Sequence, residues 1–157
     1  MAAKLTAGQT ANVGLGVSVQ GLSKVSRDIN NIGNIALRAS FQSALKDAGT
    51  LVANDAKARA SFSTRIQGSI RVVLTARTLA IRAGGASAPM AITFESLDGT
   101  TPYRHPVFAR GSNRKKWTWR PQTPRPYMVP ALANNQEKVV DMVADGLVKA
   151  FTENGWH

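Results

Sequence analysis

Few groups in this sequence can do acid–base chemistry near neutral pH. The only histidines are His105 and His157. His157 closes the sequence, and His105 stands between Arg104 and Pro106 with Asp98 as its nearest acid. A general base needs a positioned proton acceptor and a group that orients it. No such set is spelled out around His105, which is expected to pack or hydrogen-bond locally. There is no cysteine, so thiol nucleophiles, disulfides and thiolate metal sites are excluded. The nine carboxylates show no metal-ligand spacing, and no glycine-rich phosphate loop occurs. The expectation is no catalytic residue, no metal, no cofactor and no enzyme activity.

A second chemistry is binding. The stretch "RHPVFARGSNRKKWTWRPQTPRPYMVPAL" begins at Arg104 and runs to Leu132. It interleaves Trp117 and Trp119 with Arg114, Lys115, Lys116 and Arg120. Aromatic rings stack on bases while cations hold phosphates, which is how single strands are gripped. The same composition suits a protein interface, where Trp and Arg are the enriched anchors. No helix-turn-helix, zinc-finger or RNA-recognition pattern accompanies it. Both readings stay open on these residues alone.

The charge favours an anionic partner of some kind. Twenty Lys and Arg face nine Asp and Glu, a net charge of +11. Between Asp55 and Glu95 lie Lys57, Arg59, Arg65, Arg71, Arg77 and Arg82 with no acid. Between Asp98 and Glu137 lie Arg104, Arg110, Arg114, Lys115, Lys116, Arg120 and Arg125, again with none. Such one-signed segments attract polyanions or acidic proteins. Glu95 is thus an isolated acid in a basic region. Two readings of it stay open: an ion pair with an Arg on an adjacent strand, or a salt bridge between subunits.

The elements that must position these groups follow from periodicity. Residues 1–13 are small and polar and are expected to fray. "GVSVQG" at 16–21 suits a short strand, and "LSKVSRDI" a helical turn or two. Leu37, Phe41, Leu45, Ala48, Val52 and Ala56 recur every three or four residues, predicting a long helix over about 33–60. Ile66 to Leu74 and "LAIRA" predict an antiparallel hairpin that Gly84-Gly85 ends. "MAITFES" at 90–96 predicts a third strand. Six prolines from Pro102 to Pro130 predict an extended arm over 97–126 that is no regular helix or strand, with a loose hairpin around Gly111-Ser112-Asn113. Leu132, Val139, Val140, Val143, Leu147 and Phe151 predict a second amphipathic helix from about Tyr127, with Pro130 in its first turn. The whole is one domain over 1–157: α+β, two helices on a small antiparallel sheet. No apolar run reaches the length of a membrane span, and the first twenty residues lack the apolar core of a signal peptide.

In order and spacing, these residues resemble one family. "VSVQGL", the 33–60 helix, "GSIRV" at 68–72, Glu95, "HPVF" from His105 to Phe108, and "RPY" at 125–127 with "PAL" at 130–132 are similar to the HK97 gp10-like proteins of tailed bacteriophages. The resemblance spans about residues 16–152 and implies a structural protein of the virion neck. It implies a homo-oligomeric ring, hexameric in number, that completes the tail or connects it to the head. Its partners would be other neck proteins: the portal-side connector or stopper, and the tail terminator or tail tube. The virion is the implied location, after assembly in the host cytoplasm, with no membrane. Arg104, His105, Phe108, Trp117, Trp119, Arg125 and Tyr127 would then form the docking arm. Arg71, Arg77, Arg82, Arg110, Arg114, Lys115 and Lys116 would face an acidic neighbour or make non-specific contact with passing genomic DNA. The alternative is a basic nucleic-acid-binding protein.

Overall fold

The computed structural model describes residues 5–10, 14–19, 24, 28, 35–75, 79–95, 102–107 and 118–153. Two long helices dominate, α1 (Ile35–Arg59) and α4 (Met128–Glu153). α1 presents the predicted row Leu37, Phe41, Leu45, Ala48, Val52 and Ala56, all buried. Its many alanines permit close approach. A methyl group built on Gly146 of α4 would overlap the Cβ of Ala44 in α1, so the helices meet with almost nothing between them. Leu132, Val139, Val143 and Ala150 complete this contact from α4. Val140, expected on the buried stripe, is half exposed instead. The core positions are filled by Ala131 and Asn135, one turn apart. Asn135 is buried with both N–H donors of its amide used. It donates at 2.8 Å to Asp55 Oδ2 of α1 and at 2.8 Å to the Ala131 carbonyl. Asp55 Oδ1 accepts from Arg59 Nε at 3.0 Å.

The other side of α1 carries a four-stranded antiparallel sheet in the order β1-β2-β4-β3. The strands are β1 (Leu5–Thr10), β2 (Gly14–Val19), β3 (Arg71–Leu74) and β4 (Leu79–Gly84). The predicted hairpin is β3–β4, and Gly49 of α1 stands against Val72 and Leu79 of its inner face. Gly84 and Gly85 end β4 with φ of 94° and 113°, a left-handed backbone that glycine adopts without strain.

Three expectations are corrected. Residues 5–10, expected to fray, pair with β2 from Leu5↔Val19 to Thr10↔Gly14; main-chain bonds need no apolar pattern of their own. The strand expected to begin at Ile66 begins at Arg71. Before it, Thr64–Ser69 is a short helix, α2, capped by Ser63 Oγ, which accepts from the Ile66 N–H. The buried Ser69 hydroxyl donates to the Ile66 carbonyl at 2.7 Å and accepts from the Gly84 N–H at 2.9 Å. The third strand at 90–96 is instead a helix, α3 (Ala91–Glu95).

The 97–126 arm is also more regular than its prolines suggest. β5 (Tyr103–Val107) and β6 (Thr118–Gln122) form a separate two-stranded antiparallel sheet. The register pairs Arg104 with Pro121 and Pro106 with Trp119. Both prolines therefore fall on the same phase of the ladder. Antiparallel hydrogen bonds occupy every second pair, so the other phase carries them and neither missing N–H is felt. The loose hairpin expected around Gly111-Ser112-Asn113 lies outside the described residues.

Candidate functional site

The feature with functional promise is the β5–β6 hairpin together with the apparatus that fixes its root. Four rings run from the hairpin into the core. Tyr103 meets Phe94 edge-on at 5.7 Å between centroids, Phe94 meets Phe62 at 5.1 Å, and Phe62 meets Tyr127 at 6.4 Å. The Arg125 guanidinium lies 5.6 Å above the Phe62 ring, a cation–π contact. The Arg125 N–H donates to the Phe94 carbonyl at 2.9 Å. Both ends of the hairpin, at Tyr103 and at Arg125, are thus tied to α3.

α3 in turn holds the start of α4 through Glu95. Its carboxylate is 1% exposed. Oε2 accepts from the N–H groups of Tyr127 and Met128, each at 2.9 Å, and Oε1 from that of Val129 at 2.7 Å. A helix leaves four N–H groups without an internal partner at its start. For α4 these belong to residues 127 to 130. Glu95 takes three of them, and the fourth position is Pro130, which has no N–H. The clasp is therefore complete. Its negative charge also sits at the positive end of the helix dipole. Burial raises the pKa of Glu95, and the three N–H groups oppose that rise. Tyr127, fully buried, donates its hydroxyl to the Ala91 carbonyl at 3.1 Å. Burial first, and then the Glu95 charge, hold its pKa far above the usual phenol value. Burial likewise raises that of Tyr103, against the pull of Arg125.

Both readings of Glu95 are thereby corrected. It is neither in an ion pair with a strand Arg nor available to another subunit, because its oxygens are spent on its own backbone and no surface remains to meet. Tyr127 is likewise a core residue rather than an interface one. Arg125 is divided: its backbone and its contact with Phe62 serve the anchor, while the side chain stays exposed.

Part of the arm is left open to solvent. Thr118, Trp119, Arg120 and Pro121 are all exposed, Trp119 at 55%, as is Arg104. His105 stands opposite Arg120 in the ladder. Phe108, Arg110, Arg114, Lys115, Lys116 and Trp117 lie outside the described residues, as does Arg77. Arg71 and Arg82 are directly opposed across β3 and β4. Like charges so placed repel, and an anion between them would relieve that. Among the described residues, no three His, Asp or Glu side chains converge as metal ligands would, and no helix is long and apolar enough to cross a membrane.

Pro130, three residues into a helix, signals only that one of the four start donors is absent; that an acid more than thirty residues upstream takes the other three had no signal in the sequence. No family model matches the chain, and no curated protein or solved structure matches it.

Proposed function

We propose that this chain is a structural protein of a tailed bacteriophage that closes with copies of itself into a ring in the virion neck, joining head to tail. The observation that carries its self-assembly is the β5–β6 hairpin. It is anchored at its root by the aromatic ladder, yet both faces of β6 are exposed, with a tryptophan among them. Isolated two-stranded hairpins are marginal in water, and an exposed Trp beside Arg is the composition of an interface anchor. A rigidly rooted arm lowers the entropy lost on docking. The neck assignment and the hexameric number rest on the resemblance in sequence order. Other neck proteins would be the partners above and below the ring. The particle has no catalytic task in this reading.

The mass of the purified protein across a concentration series, with negative-stain images of the largest species, tests it. Closed rings of one size support the proposal; a monomer at every concentration sinks it. A second reading, a basic nucleic-acid-binding protein, is favoured by the opposed Arg71 and Arg82. A salt titration of binding to random duplex DNA separates the two. Nanomolar affinity for one defined sequence would promote the second reading. Non-specific affinity of about 10⁻⁴ to 10⁻⁶ M at physiological salt fits a channel through which DNA must still move.

A further inference from the structure

The outer face of α4 is apolar where solvent favours charge. Val129, Val140 and Val148 are 41%, 52% and 66% exposed, and Ala133 and Ala144 are exposed between them. At 3.6 residues per turn, Val129, Ala133, Val140 and Ala144 lie within roughly 60° of one another. Beside this stripe runs a row of acids four residues apart: Glu137, Asp141 and Asp145, all exposed. Among the described residues the ion pairs are Arg59–Asp55 and Lys149–Glu153, so neither serves this row. Like charges at that spacing repel along a helix. The surface is thus an apolar strip with an acidic border.

The hairpin is its complement. It offers Trp119 as the apolar group and, diagonal to it on the same face of the ribbon, Arg104 as an exposed cation. A five-residue strand, about 17 Å long, fits within the stripe from Val129 to Ala144, about 22 Å. Within one copy the two surfaces do not meet, since both are exposed. A chain of charge +11 repels its own copies unless contact brings its acids against its cations. A head-to-tail arrangement does that.

We propose that the outer face of α4 is the seat for the β5–β6 hairpin of a second copy of this chain, with Trp119 on the valine stripe and Arg104, on the same face of the ribbon, toward the acid row. This rests on the reading that the chain assembles with itself, and it names the two surfaces involved. Such a contact is heterologous, so repetition either closes a ring or runs on as a filament.

The test uses the full-length chain in sedimentation velocity. Trp119→Ala disables the hairpin and Val140→Asp the seat. Each should weaken association about thirtyfold or more, as loss of a hot-spot residue does, with helix content unchanged by circular dichroism. An equimolar mixture of the two variants should give heterodimers and nothing larger, because one intact hairpin meets one intact seat. The charge exchange Arg104→Glu with Asp141→Lys should assemble where Arg104→Glu alone does not. If Val140→Asp assembles like the wild type, another surface joins the copies: the seat is wrong while the ring reading stands. If both variants are monomeric and their mixture stays monomeric, the head-to-tail pairing is wrong. A wild-type chain that never associates overturns both.

Discussion

Glu95 stands before the basic stretch that contains Trp119, and the fold treats the two in opposite ways. The carboxylate is taken out of water and met by three N–H groups of the α4 start. The indole, which would gain most from burial, is left more than half exposed. A buried polar group must be satisfied inside its own chain, because desolvation without a partner costs several kcal/mol. An exposed apolar group carries no such demand, and its saturation can be left to another molecule. The difference separates the part of the arm that belongs to the fold from the part that belongs to assembly.

The comparison breaks first at Glu95. Glu95→Ala removes the acceptor for three buried or half-buried donors. It should lower stability by on the order of 3–5 kcal/mol, given about 1.5–3 kcal/mol for a hydrogen bond to a charged group and incomplete additivity. Glu95→Gln should lose less, since one oxygen is kept. Urea melts of both variants measure this, and a loss below that of an ordinary surface mutation would show that the clasp is idle.

Leu132, one turn into α4 and buried against α1, asks whether the clasp serves a helix that is itself part of the core. Leu132→Ala should cost about 2–4 kcal/mol in the same melts. No loss would detach α4 from the core and remove the reason for capping it.

The pH dependence sharpens the reading of Glu95 itself. Its folded-state pKa is raised above the ordinary 4.5, so over the window just above 4.5 the folded state holds its proton while the unfolded chain releases it. Stability contributed by that proton is full below 4.5 and is lost as pH rises through the folded value. The urea midpoint of the wild type, measured relative to Glu95→Gln, should therefore fall from pH 4 toward neutrality and then level. A relative rise would mean that the three N–H groups outweigh desolvation.

The smallest effect on stability is expected at the hairpin. Trp119→Ala should leave the melting of the monomer within about 0.5 kcal/mol, as for surface positions, while self-association is weakened. If the monomer instead loses several kcal/mol, Trp119 belongs to the fold and the contrast with Glu95 fails.

The parts of this structure that were legible beforehand are those with long periodic signals. The α1 row from Leu37 to Ala56 spans more than five turns and leaves little choice. The β3–β4 hairpin is marked by β-branched residues and by Gly84-Gly85. The 90–96 segment was misread because Ile92, Thr93 and Phe94 favour strands locally. Five residues carry too little intrinsic preference to resist their surroundings. There the helix is held by the Tyr127 hydroxyl on the Ala91 carbonyl and by Glu95 on α4, both made more than thirty residues away. β1 was missed because "LTAGQT" has no apolar alternation, and its order comes from the register with β2.

By itself the sequence determined where apolar groups recur, where prolines and glycines forbid regular backbone, and where charge is one-signed, because each is a property of neighbouring residues. Only the tertiary structure decided which polar groups face inward. Glu95 became a cap, Asn135 a tie between helices and Tyr127 a core ring, while Trp119, Val129, Val140 and Val148 were left outside. Burial depends on which distant segments arrive at a residue, and hydrogen bonds across thirty or eighty residues leave no local trace in the order of the chain.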